Sequence, residues 1–216
     1  MIDEHSYDGL PLQTGDIICT QNGQPRSLAG QFWYAVGRLV PGEIDHVAVY
    51  VGPGGRLVEA GARGVIAYTM AGDTWDAFKL RQERALRDTL IGVAYPLLGL
   101  GLSLDEETRI REDVAEFCLA QAAAGKPYNP IYPLAETDAW FYCSQLAYRA
   151  YQAHGIDLNC NRGVPRGPGL NQIVFPEEIW QACPHRRVGG SIETPDDAVG
   201  RSATPSAAGR VGQALP

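Results

Sequence analysis

The chain has 216 residues, 45% of them hydrophobic and 20% charged, which suits a globular domain with a sizeable core. Eighteen Lys and Arg against 25 Asp and Glu leave a formal charge of −7, and no dense basic stripe offsets that balance. A nucleic-acid partner is therefore not expected, because phosphate binding needs clustered cations.

The opening run MIDEHSYDGLPLQTGD is acidic and polar, unlike the basic start and apolar stretch of a signal peptide. The longest apolar run, TLIGVAYPLLGLGLSL, carries Pro and several Gly and is too short to span a bilayer. These features predict a soluble protein made in the cytoplasm, with no transmembrane segment. Export by a route that needs no cleaved signal stays open, and no pattern sets an oligomeric state.

TGDIICTQ reads as a strand entered through a Gly-Asp turn. PRSLAGQFWYAVGRLVPG follows as a helix, with Pro25 and Ser27 at its start and Pro41-Gly42 closing it. DHVAVYVG, RLVEAG and GVIAYTM are short β-rich runs punctuated by GPGG and ARG, and they predict an antiparallel meander. Residues 73–104 are mixed in character. SLDEETRIREDVAEFCLAQAAAG is the clearest helix: Ser103 and Glu106 form a capping box, acidic residues fill the first turn, and Gly125 stops it. A Pro-rich loop, KPYNPIYPLAETDAW, leads to FYCSQLAYRAYQAHG, a second helix closed by Gly155. From Gly189 onward the composition turns to Gly, Pro, Ser and Ala. The expected organisation is one domain over 1–188 and a disordered tail over 189–216.

Five cysteines occur, at 19, 118, 143, 160 and 183. The odd count and the lack of metal-ligand spacing weigh against a disulfide framework and a zinc site. Cys19 and Cys118 lie in apolar patterns and read as core. Cys160 and Cys183 would pair only in an oxidising compartment. Cys143 stands where a helix begins, and four readings apply to it: buried apolar residue, half of a disulfide, metal ligand or nucleophile. A helix start offers unpaired N–H groups and a favourable dipole for a thiolate and an oxyanion.

A nucleophile needs a base. His5 falls in an N-terminus expected to be flexible, and His185 near the start of the tail. His154 lies eleven positions past Cys143 on the same helix, about 16 Å away by helical rise. His46 opens the strand HVAVYVG, so a rigid element holds its ring. Glu59 reaches the same sheet face if the GPGG turn leaves an even loop. With Val51 opposite Arg56 it lies on the diagonal from His46; with Val51 opposite Gly54 it lies directly across. An odd loop sends it to the other face. Each residue also has a plain structural reading, as packing, strand-end histidine or exposed carboxylate.

Taken in order, GDIICT, a helix, DHVAVYVG, RLVEAGARGV, GKPYN, FYCSQLAYRAY and VFPEEI resemble the circularly permuted NlpC/P60 papain-like family, and more narrowly its YiiX/YaeF-type amidase branch. The resemblance covers about Gly15 to Pro176. It implies an α+β, papain-like fold: an antiparallel sheet curled toward a partial barrel, packed on helices, with the nucleophile at a helix N-terminus. It implies Cys143 as nucleophile, His46 as base and Glu59 as third member, with Tyr128, Tyr142 and Ser144 at the substrate. No catalytic role passes to Asp16. Gln145 stands where many relatives have an acidic residue, and Asp45 where a small one is common. The implied activity is hydrolysis of an amide in a peptide-like or acyl-containing small substrate, as in a peptidoglycan-type peptide or an acylated amino acid, with no metal or organic cofactor. Rival readings are acyl transfer or thioester cleavage on lipids, as in the lecithin:retinol acyltransferase-like branch, and a binding module without activity. Cleavage of cell-wall peptides by an exported effector fits the same fold. Pocket walls are expected from LAGQFWYAVGRL, the Pro-rich loop and residues 73–104, with Trp33, Tyr34 and Trp140 as aromatic candidates. Trp33 suits the core as well.

Overall fold

The structure, a computed structural model, describes residues 1–22, 42–129, 137–164 and 169–195. The helix expected from Pro25, with Trp33 and Tyr34, lies outside these residues, as does the centre of the Pro-rich loop.

The chain opens with a hairpin. Strands β1 (Glu4–Tyr7) and β2 (Leu10–Gln13) pair with Tyr7 opposite Leu10. Asp8 and Gly9 both take positive φ, as an Asp-Gly two-residue turn requires. His5, expected in a flexible terminus, instead stacks on Tyr50 with ring centroids 5.8 Å apart. A separate seven-stranded sheet comprises β3 (Ile17–Asn22), β4 (His46–Tyr50), β5 (Arg56–Gly61), β6 (Gly64–Thr69), β7 (Asp88–Ala94), β8 (His185–Arg187) and β9 (Ile192–Glu193). These strands lie in the order β6-β5-β4-β3-β7-β8-β9, and every neighbouring pair is antiparallel.

The mixed region resolves into helix α1 (Ala77–Arg84), capped by Asp76, followed by β7. Helix α2 (Leu104–Ala123) carries the expected Ser103–Glu106 capping box. Helix α3 (Cys143–Gln152) begins at the cysteine, and α4 (Pro176–Ala182) follows a 3-10 turn at Leu170–Gln172. The protein is thus α+β with an antiparallel sheet. Residues 196–216 of the expected tail lie outside the described residues. His185 is buried on β8, and Ile192–Glu193 pairs with that strand, so ordered chain runs past Val188. Residues 192–193 pair through backbone hydrogen bonds, which do not require an apolar composition.

Strand alternation sorts the sheet's side chains into two layers. Ile17, Cys19, Val47, Val49 and Val58 join the core made with α2, α3 and α4. Ile18, Ala48, Tyr50, Leu57 and Val93 pack with Tyr7, Leu10, Leu12 and Trp75 on the other side. The second layer is why the N-terminal hairpin exists: without it that face of a buried sheet would meet water. Among the described residues no helix is long and apolar enough to cross a membrane.

Helix α3 is pinned to the sheet from both ends. Near its C-terminus the Tyr151 hydroxyl donates to the Gly15 carbonyl at 2.6 Å. Gly15 has φ +95, and a Cβ there would sit 3.0 Å from that hydroxyl, so the turn needs glycine for conformation and space. Asp16 beside it accepts from Arg111 of α2 at 2.9 Å and from the Gln13 N–H at 2.8 Å. Burial, only partly offset by Arg111, raises its carboxyl to about 6. Asp16 therefore joins the strand entry to α2, a structural task.

Candidate active site

The N-terminal end of α3 is held by a single amide side chain. Gln145 Oε1 accepts from the Tyr142 N–H at 3.2 Å and from Asn129 Nδ2 at 2.9 Å, while its Nε2 donates to the Thr137 carbonyl at 3.0 Å. A carboxylate at 145 could accept the first two bonds but not make the third, which accounts physically for the departure noted at this position. The first intrahelical bond runs from the Leu146 N–H to the Tyr142 carbonyl at 3.1 Å. The N–H groups of Cys143 and Ser144 consequently have no acceptor within the helix.

Tyr142 and Ser144 turn out to serve the scaffold. Both are fully buried. The Ser144 hydroxyl donates to the Val174 carbonyl at 2.6 Å, and the Tyr142 hydroxyl accepts from the Val174 N–H at 3.1 Å. On either side of the nucleophile the helical twist turns these side chains inward, and their hydroxyls bond the backbone of residue 174. Tyr128 is half-buried against both α3-side clusters, and its backbone bridges Phe141.

His46 is the first residue of β4 and Glu59 the fourth of β5. Their strands pair Val49 with Val58 and Tyr50 with Leu57, and the Val51 N–H bonds the Arg56 carbonyl at 2.9 Å. This is the even-loop register, with Glu59 diagonal to His46. The imidazole Nε2 donates to Glu59 Oε2 at 2.9 Å. Placement at the strand's end matters. Alternation assigns His46 to the Ala48–Tyr50 face, yet a ring at the sheet's end also meets Cys143, which belongs to the opposite layer. The Cys143 side chain lies near enough to the imidazole to raise its affinity for a proton. With Nε2 committed to Glu59, Nδ1 is the nitrogen left for sulfur.

The entry to β4 is secured by a carboxylate on α4. Glu177 Oε2 accepts the N–H groups of Glu43 and Ile44, each at 3.0 Å. A Cβ on Gly42 would overlap that carboxylate, so the residue pattern before His46 is set by this contact.

Electrostatics follow from burial and neighbours. Cys143 is 7% exposed, His46 5% and Glu59 1%. Burial disfavours the imidazolium, but the Cys143 bond and charge, then Glu59, outweigh it and carry His46 up to about 10. Burial likewise disfavours the Glu59 carboxylate, and the Arg84 charge with the His46 bond overrides it, holding the group at about 2.

Arg84 and Asp88 were not anticipated. Arg84 Nε and Nη2 donate to Glu59 Oε2 at 2.9 and 2.6 Å, and Nη1 and Nη2 donate to Asp88 at 2.9 Å each. In sequence the pair sits in the ambiguous region, at the end of α1 and the start of β7, where neither helical nor strand periodicity marks it.

Cys19, Cys118, Cys160 and Cys183 are free thiols, as is Cys143; the pairing considered for Cys160 and Cys183 is not formed. Burial pushes Cys19, Cys118 and Cys183 upward, which suits inert core thiols. Among the described residues no cluster of His, Cys, Asp and Glu has the grouping to hold a metal ion. No protein-family model, curated protein or solved structure matches this chain.

Proposed function

We propose that the protein is a thiol hydrolase of the permuted NlpC/P60, papain-like kind, cleaving an amide in a peptide-like or acyl-containing small substrate. One observation carries this reading: a buried imidazole bonded to the Glu59 carboxylate lies within electrostatic reach of Cys143, the first residue of a helix whose first N–H groups lack intrahelical acceptors. That arrangement contains a nucleophile, a base with an orienting partner, and donors for an oxyanion.

The steps follow from the positions. His46 takes the Cys143 proton at Nδ1, and the thiolate attacks the substrate carbonyl carbon. The resulting oxyanion draws on the Cys143 and Ser144 N–H groups. Collapse of the tetrahedral species breaks the carbon–nitrogen bond as imidazolium gives its proton to the leaving amine. Water, deprotonated by His46, then cleaves the thioester and restores the thiol.

The test is incubation of wild type and Cys143→Ala with peptidoglycan-type peptides, acylated amino acids and phospholipids, with products read by mass. Free acid from wild type and none from the variant is the expected result. A modified acceptor in place of free acid would replace hydrolysis with acyl transfer. Turnover unchanged in Cys143→Ala, or covalent capture of a substrate analogue on another residue, would end the assignment.

A further inference from the structure

One buried ion-pair cluster, Arg84 with Glu59 and Asp88, extends beyond the groups that exchange protons in the reaction. Building on the thiol-hydrolase reading, we propose that Arg84, anchored by Asp88, is a positioning residue that holds Glu59 as an acceptor-only carboxylate and thereby dictates which His46 nitrogen faces sulfur.

The geometry makes the case. Arg84 is fully buried, with its guanidinium 4.8 Å from the Tyr68 ring centre and 5.5 Å from that of Trp75. Taking a guanidinium out of water is costly, and a buried ion pair is often no more stabilising than apolar residues of the same volume. Stability alone is therefore a poor reason for the residue. Its contacts are selective: both donors aimed at Glu59 reach Oε2, the same oxygen that accepts from His46. The other oxygen, Oε1, is buried with no hydrogen-bond partner.

A carboxyl this buried tends toward its neutral form. Neutral Glu59 would carry a proton and could donate it to Nε2. The ring would then hold its own proton on Nδ1, directed at sulfur, and could no longer accept the thiol proton. Arg84 removes that alternative. Beside a fixed cation Glu59 only accepts, so Nε2 carries a proton in either charge state of the ring, and Nδ1 is the nitrogen that takes the thiol proton and holds it as imidazolium. Asp88 balances the arginine through a bidentate contact that fixes its plane. Passing the proton from Cys143 to His46 also leaves the net charge of the five groups unchanged, so the transfer needs no compensating ion.

The experiment measures iodoacetamide alkylation of Cys143 by peptide mass mapping, across acid to mildly alkaline pH, with near-ultraviolet circular dichroism as the check on folding. Arg84→Met should lower the plateau rate about tenfold and move the acid limb up by about one pH unit, as Glu59 regains a proton. Arg84→Lys, which keeps the charge, should return the limb to its wild-type place. In a Glu59→Gln background Arg84→Met should have little further effect, because the arginine acts through that carboxylate. Should Arg84→Met fail to fold, the Arg84→Met/Asp88→Asn pair, which leaves no orphan anion at 88, gives the same reading. A uniform rate loss with an unmoved limb, or an equal effect of Arg84→Met without Glu59, overturns the positioning role. Wild type that resists alkylation at Cys143 overturns instead the hydrolase reading beneath it.

Discussion

His46 Nε2 and Glu59 Oε2 lie 2.9 Å apart across the β4–β5 hairpin, diagonal to one another and wholly within the protein. The bond exists because the turn at residues 52–55 leaves an even register, and a shift by one residue would send the carboxylate to the other face.

Glu59→Gln should be costly. It leaves Arg84 paired with Asp88 and takes the charge from beside the imidazole. Breaking such a buried pair destabilises by about 3–5 kcal/mol. Urea unfolding checks the loss, and Cys143 alkylation should slow with it. A melt equal to that of wild type would show that the charge is not needed for folding.

Stability should also carry the His46 titration. The fold raises this group from 6.5 to about 10, so the native state binds its proton more tightly than the unfolded chain. The contribution is whole below about pH 6.5 and fades as pH rises through about 10. The difference in unfolding free energy between wild type and His46→Gln should therefore narrow between neutral and strongly alkaline conditions. In a Cys143→Ala background the narrowing should shrink, since the sulfur supplies the larger upward pull. A difference that is constant with pH would contradict the linkage.

Ser144→Ala tests whether that hydroxyl belongs to the scaffold. Losing the bond to the Val174 carbonyl should cost about 1 kcal/mol in a urea melt. Alkylation of Cys143 should proceed as in wild type. Loss of substrate turnover with no change in stability would return Ser144 to the substrate.

Gln145→Glu should destabilise the start of α3 by about 1–3 kcal/mol, because a carboxylate placed against the Thr137 carbonyl has no proton to donate. The effect should ease under acid, where a protonated glutamic acid regains a donor. Thermal melts at two pH values would show it, and an equal midpoint for both proteins at neutral pH would refute it.

Much of the frame was legible in the residues. The strands from Ile17, His46, Arg56 and Gly64 announce themselves by β-branched runs between glycine turns, and Ser103 with Glu106 marks the start of α2. The Asp8-Gly9 pair is an equally plain two-residue hairpin signal. Residues 73–104 were opaque for a physical reason: α1 is short and mostly polar, held by its Asp76 cap and by Arg84 reaching into the interior. The β8–β9 pair depends on backbone bonds to distant chain, which local composition does not encode.

Sequence by itself determined the local choices: where chain turns, where α2 and α3 begin, and that a cysteine stands at a helix start with a histidine at the head of a strand. Those follow from propensity, capping and period, which act over a few residues. Only the tertiary structure decided that the imidazole lies within electrostatic reach of Cys143, that Glu59 bonds that imidazole, and that a buried arginine grips the same carboxylate oxygen. Such contacts join positions 46, 59, 84 and 143, and they arise from packing two layers on one sheet, a free energy to which no single segment holds the key.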